Sequence, residues 1–169
     1  MEESRTHQSA WGESLWGKYL TFSLSKEKYA IEILKVQEII GILNTTHVPG
    51  SPEYLKGVIN LRGRIIPVID LRIKLGVEAI PYNEKTCIIV VNARVADKTV
   101  GIGVVVDTVL EVVHFGSGQL QPSPDYGLSL ATSSVLAMGK TAQGDVVILV
   151  DIEKVLSETS LSEITHLTS

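Results

Sequence analysis

The chain has little of what most chemistry requires. It holds one cysteine, Cys87, in 169 residues, so no intrachain disulfide can form and a thiol-rich metal site is excluded. That cysteine lies in Thr86-Cys87-Ile88-Ile89-Val90-Val91, a strand-like apolar run where a lone thiol packs rather than reacts. A reducing compartment is expected. Four histidines, His7, His47, His114 and His166, are dispersed with no partner at ligand spacing, so no metal and no cofactor is expected. Aromatics are 5% of the chain against 44% hydrophobic residues. The apolar mass is therefore Val, Ile and Leu, which favours strands. Positive charge is neither abundant nor clustered, with a net charge of −4. Phosphate binding needs a concentrated basic face, so a nucleic-acid-binding β-barrel is set aside. No uncharged apolar run approaches the roughly 18 residues of a membrane span. The acidic start (Glu2, Glu3, Glu13) has no signal-peptide core. A cytoplasmic protein without direct membrane insertion is expected. Phosphate-cradling loops are missing too. Gly101 and Gly103 lead into valines rather than a helix start, and read as a bulge or close packing.

What is present is strand. The length suits one domain or two small ones, with roughly 70% of the unfolded surface buried on folding. Residues 1–16 are polar and unpatterned apart from Trp11 and Trp16, and read as a tail. Tyr19-Leu20-Thr21-Phe22-Ser23-Leu24 alternates, turns at 25–28, and alternates again through Tyr29-Ala30-Ile31-Glu32-Ile33. Residues 34–42 suit a short helical turn followed by a strand. Residues 44–52 form a loop marked by Pro49-Gly50 and Pro52. Further strands are expected at 85–93, 99–106, 109–115, 134–138 and 146–150. Residues 151–156 suit a short helix, and the tail 157–169 has room for a further helical turn.

The central unit is Lys56-Gly57-Val58-Ile59-Asn60-Leu61-Arg62-Gly63-Arg64-Ile65-Ile66-Pro67-Val68-Ile69-Asp70-Leu71. It reads as two apolar strands hinged at Gly63-Arg64 in a type II′ turn. Asp70 suits the N-cap of a short helix to Leu75. Pro67 lacks an N–H, so its strand should be an edge there or carry a bulge. The unit recurs: Gly63-Arg64-Ile65-Ile66-Pro67-Val68-Ile69-Asp70-Leu71 matches Gly144-Asp145-Val146-Val147-Ile148-Leu149-Val150-Asp151-Ile152. Upstream, Tyr29-Ala30-Ile31 and Val36-Gln37-Glu38-Ile39 match Val100-Gly101-Ile102 and Val109-Leu110-Glu111-Val112. The order of features is shared, so a repeat of about 17–82 and 84–156 is expected. It would build two small five-stranded barrels within 17–156, with strands free to cross between them. The second copy has Gln143 where the first has Arg62.

Catalytic readings are thin. Val104-Val105-Val106-Asp107-Thr108 resembles an aspartic-protease loop, in which two carboxylates share a proton. That loop continues with glycine, whereas here Val109 follows, and no GxSxG elbow is present. No enzyme is expected. There remain Glu38 and Arg62 among apolar strands. Either they are surface charges on half-buried strands, or they are an ion pair at the rim of a groove lined by Val36, Ile39 and Val112.

Three segments taken together, Ile33-Leu34-Lys35-Val36-Gln37-Glu38-Ile39, Lys56-Gly57-Val58-Ile59-Asn60-Leu61-Arg62-Gly63 and Pro67-Val68-Ile69-Asp70-Leu71-Arg72, resemble the CheW-like family of bacterial chemotaxis coupling proteins. The resemblance runs from about residue 17 to 156. It implies an all-β fold of two intertwined SH3-like β-barrels packed on a shared hydrophobic core, with short helices. It implies a non-catalytic adaptor linking the cytoplasmic tips of methyl-accepting chemoreceptors to the regulatory domain of the histidine kinase CheA, in membrane-associated arrays. By position, the receptor-binding residues would be Val36, Glu38, Ile39, Gly57, Arg62, Cys87, Gly101, Val109 and Val112. Tyr126 would be a kinase or ring contact. A coupling protein of a related pathway, such as pilus motility, would carry the same signature.

Overall fold

The computed structural model describes residues 12–95, 97–123 and 134–157. Tyr126 and the C-terminal tail beyond residue 157 lie outside them. A 3-10 turn, Glu13–Leu15, precedes the first strand, and Leu15 packs on a core cluster with Tyr19 and Phe115. The folded part thus begins within the stretch read as tail.

Among the described residues eleven strands follow: β1 (Gly17–Leu24), β2 (Glu27–Glu32), β3 (Val36–Gly41), β4 (Leu55–Leu61), β5 (Arg64–Asp70), β6 (Cys87–Val95), β7 (Lys98–Val106), β8 (Thr108–Phe115), β9 (Leu120–Gln121), β10 (Val135–Lys140) and β11 (Val146–Val150). Two short helices, α1 (Leu71–Leu75) and α2 (Ile152–Ser157), close β5 and β11. The expected helical turn before β3 is a 3-10 turn, Ile33–Lys35.

The strands form two sheets, in the orders β8-β1-β2-β11-β10-β9 and β3-β6-β7-β5-β4. The repeat explains the shared plan. One half supplies the hairpin β1–β2 and the strands β3 to β5. The other supplies the hairpin β6–β7 and the strands β8 to β11. The two halves exchange hairpins, so β1–β2 pairs with β8 and β11, while β6–β7 pairs with β3 and β5. The pairings match in kind. β1 runs antiparallel to β8 as β6 does to β3, and β2 runs parallel to β11 as β7 does to β5. The six-stranded sheet exceeds the expected five by the two-residue β9.

The core follows the same division. The largest buried cluster joins Leu20, Phe22, Leu24 and Ile31 of one sheet to Ile69, Ile89, Val91, Ile102 and Val104 of the other. Alternate residues of β6, Ile88 and Val90, point into a separate core with Ile59 and Ile66. The unbroken apolar run of β6 is thus explained by burial on both faces.

Two local expectations are revised. The hairpin β4–β5 pairs Leu61 with Arg64, so the central turn residues are Arg62 and Gly63, one position earlier than the hinge expected. Arg62 has φ 53° and Gly63 φ 83°, which is a type I′ turn rather than II′. The side chain of Asn60 accepts a hydrogen bond from the Gly63 N–H at 2.8 Å and holds the turn. Pro67 sits in β5, which lies inside its sheet between β7 and β4. Its facing residue, Val58, spends both N–H and C=O on Thr46. The parallel ladder to β7 begins only at Val68. The proline therefore occupies a locally unpaired position within an interior strand.

Candidate functional site

The five-stranded sheet brings Glu38 and Arg62 together from its two ends. Glu38 stands on the end strand β3, and Arg62 on the turn leaving the opposite end strand β4. Arg62 Nη1 donates to Glu38 Oε1 at 2.8 Å and Nη2 to Oε2 at 2.7 Å. This forked pair spans the interval between the ends of the open sheet, which curves into a barrel-like shape with the pair across its gap. Its members differ in burial: the Arg62 side chain is 73% exposed and that of Glu38 18%. Of the two readings of these charges, the ion pair is the one found.

The pair sits over a pocket of about 200 Å³ lined by Gln37, Glu38, Leu61, Arg62, Ile66 and Gly101, among others. All five strands contribute to its walls, so it lies at the mouth of this open, barrel-like sheet. Gly101 belongs to its floor: a Cβ there would lie 3.5 Å from the Gln37 amide oxygen and 3.7 Å from an Ile66 methyl. Gly103, two residues on, is tighter, since a Cβ there would lie 2.8 Å from an Ile88 methyl. Close packing accounts for it.

The other candidates sort into distinct surroundings. Val36 on β3, Cys87 on β6 and Val109 on β8 are half-buried and pack against the core shared by the sheets. Burial pushes the Cys87 thiol up in pKa, and a hydrogen bond with the Val109 backbone partly offsets this. The thiol therefore stays protonated at neutral pH, as a packing group does. Ile39 and Val112 are exposed apolar residues on the end strands β3 and β8. Gly57 stands apart, at an irregularity in the β4–β5 ladder. Its φ is 138°, and a Cβ would lie 2.3 Å from the Thr46 carbonyl oxygen. Only glycine allows that approach.

The residue that sequence reasoning missed is Arg72. It is fully buried on α1, where its neighbours supply every need of a charge taken out of water. Nε and Nη2 donate to the two oxygens of Asp70 at 3.0 and 2.9 Å. Nη1 donates to Asp107 Oδ1 at 3.0 Å and to the Ile80 carbonyl at 2.6 Å. The Tyr82 ring lies 5.3 Å from the guanidinium carbon. The other oxygen of Asp107 accepts from the Ser25 N–H at 2.8 Å. Asp70 caps α1 as expected, accepting from the Arg72 N–H at 3.0 Å. Hydrogen bonding by Asp70 is the main cause holding the Arg72 pKa above its ordinary value. The signal that could have found this cluster is an arginine in the first turn of a helix capped by aspartate, beneath an otherwise apolar strand.

This geometry answers the protease reading. Asp70 and Asp107 do approach one another, but a guanidinium stands between them and bonds to both. A proton-sharing dyad needs two carboxylates in contact; here the Arg72 guanidinium hydrogen-bonds to both.

The chain matches the family model described as the CheW-like domain over residues 18–160. It is 40% identical over 153 residues to the chemotaxis protein CheW of Klebsiella aerogenes, covering 89% of this chain and 88% of that protein. It is 31% identical over 150 residues to the chemotaxis protein CheW of Thermotoga maritima, covering 85% and 90%. The crystal structure of the scaffolding protein TtCheW from Thermoanaerobacter tengcongensis superposes with a TM-score of 0.74 at 30% identity, over 86% of this chain and 95% of that one. Sequence signature, exchanged-hairpin fold and solved structure agree, and the chain belongs to the CheW-like domain family.

Proposed function

We propose that this chain is a non-catalytic coupling adaptor of chemotaxis, joining the cytoplasmic tips of methyl-accepting chemoreceptors to the regulatory domain of the histidine kinase CheA. It would act in the cytoplasm, at membrane-bound receptor arrays. Among the described residues no helix is long and apolar enough to cross a membrane. The observation that carries this reading is the barrel mouth. A charged fork, Arg62 on Glu38, stands 73% exposed at its rim. An exposed ion pair contributes only about 0–1 kcal/mol to folding, so the fold has little need of Arg62. A partner has more use for it.

The receptor face would comprise Val36, Glu38, Ile39, Arg62 and Gly101 from one barrel, with Cys87, Val109 and Val112 at the junction with the other. Its apolar strip with a charged rim suits the tip of a helical hairpin. Gly57 would serve this face indirectly, by shaping the strand that carries Arg62. Tyr126 is assigned to the kinase side. Two related barrels in one chain provide two faces, and simultaneous engagement raises the effective concentration of each partner for the next.

The test is co-purification of the adaptor with a receptor cytoplasmic fragment and the kinase. The parent recovers both. Arg62→Glu places two carboxylates together at the rim and recovers the kinase but little receptor fragment, with an unchanged thermal midpoint. If Arg62→Glu assembles the ternary complex like the parent, the site is misassigned.

A further inference from the structure

The chain crosses between its sheets at two places, and each crossing leads directly into a strand of the proposed receptor face. The turn Ile33–Lys35 carries the chain from β2 to β3, where Val36, Glu38 and Ile39 stand. Asp107 carries it from β7 to β8, where Val109 and Val112 stand. Both crossings are tied by a charged side chain from a helix. Lys35 Nζ donates to Glu153 Oε1 of α2 at 3.0 Å. Arg72 of α1 donates to Asp107 at 3.0 Å.

The helix members of these pairs are counterparts in the repeat. Arg72 and Glu153 each lie two residues beyond an aspartate, Asp70 at the end of β5 and Asp151 just after β11. The arrangement recurs in the two halves with its charges reversed: cation on helix and anion on crossing in one, anion on helix and cation on crossing in the other, with Asp107 two residues before Val109 and Lys35 one residue before Val36.

The crossing into β3 has particular need of such a tie. The ladder between β3 and β6 is irregular between Val36 and Glu38. The first residues of β3 are therefore set less by the sheet than by the turn before them. That turn ends with the Val36 N–H bonded to the Ile33 carbonyl. Lys35, immediately before Val36, is its only charged residue.

We propose that Lys35–Glu153 is a positioning pair, which fixes the direction in which β3 leaves the crossing and thereby sets Val36 and Glu38 for receptor binding. The proposal rests on the reading of that face as the receptor site. Arg72–Asp107 does the same for β8, but its burial ties it to folding as well. The Lys35–Glu153 pair is the testable one, since its side chains are 36% and 33% exposed.

The experiment measures receptor-fragment affinity, kinase affinity and thermal midpoint of the full chain for Lys35→Glu, Glu153→Lys and the double variant, with Arg62→Glu alongside. Each single variant should bind the receptor fragment about fivefold more weakly, the scale set by one exposed pair. The double variant should restore binding, and all should keep the parent's midpoint and kinase affinity. Normal receptor binding by both single variants, with loss in Arg62→Glu, overturns the positioning role and leaves the receptor face standing. Failure of the double variant to restore binding also overturns it, because Lys35 would then act directly on the partner. Unchanged binding in Arg62→Glu as well overturns the receptor face, and this inference with it.

Discussion

Two arginines ten positions apart make opposite use of the same chemistry. Arg62 forks onto one carboxylate at the barrel mouth and is 73% exposed; Arg72 forks onto Asp70, reaches Asp107 and is 2% exposed. Each makes a two-pronged guanidinium–carboxylate contact of ordinary length. Water decides what each is for. In solvent the attraction is offset by hydration and screening, and the pair adds little to folding. In the interior the charges have lost their hydration, and the same contact becomes something the fold cannot release without leaving a bare ion behind. Arg72 joins a helix, a crossing and the loop at Ile80, and through Asp107 the turn at Ser25. Arg62 joins two sheet ends and leaves one edge of its fork to solvent.

The sharpest way to break the comparison is to remove each arginine. Arg72→Ala leaves two buried carboxylates without their cation and should cost roughly 3–5 kcal/mol in chemical denaturation. Arg72→Lys should recover only part of this, because one ammonium cannot reproduce a planar fork that reaches both carboxylates. A double-mutant cycle on Arg62→Ala and Glu38→Ala should give a coupling of about 0.5–1 kcal/mol, at the upper end for exposed pairs because Glu38 is half-buried. The smallest effect is that of salt. Raising it from about 0.1 to about 1 M should shrink the Arg62–Glu38 coupling while leaving the cost of Arg72→Ala unchanged, since screening reaches surface charges and hardly enters a core. A coupling at Arg62 that survived high salt would place that pair in the same class as Arg72.

Much of the fold was legible because burial wrote itself into period and punctuation. The alternation of Leu20, Phe22 and Leu24 predicted β1, and Asp70 predicted the start of α1. The turn falls at Arg62-Gly63, one residue earlier than a glycine in the first central position implies. Nothing in an arginine signals that it will adopt a positive φ; the Asn60 side chain and the Leu61–Arg64 register impose it. Arg62 and Glu38 were legible as charges out of place among apolar strands. Arg72 was not, because an arginine in the first turn of a short helix normally points to water. Its second carboxylate, Asp107, lies 35 positions further along the chain. The exchange of hairpins was equally hidden. A repeat has the same sequence whether each hairpin stays with its own half or crosses to the other.

That exchange also orders events during synthesis. β2 is among the first strands to leave the ribosome, and its parallel neighbour β11 is the last. The opening hairpin must therefore wait with an unpaired edge until β11 has emerged, and such distant pairing slows folding. A chain that stops before Val146 leaves that edge open, where it is prone to wrong pairing. It also lacks Val150, Ile152 and Leu156 from the core that both sheets share.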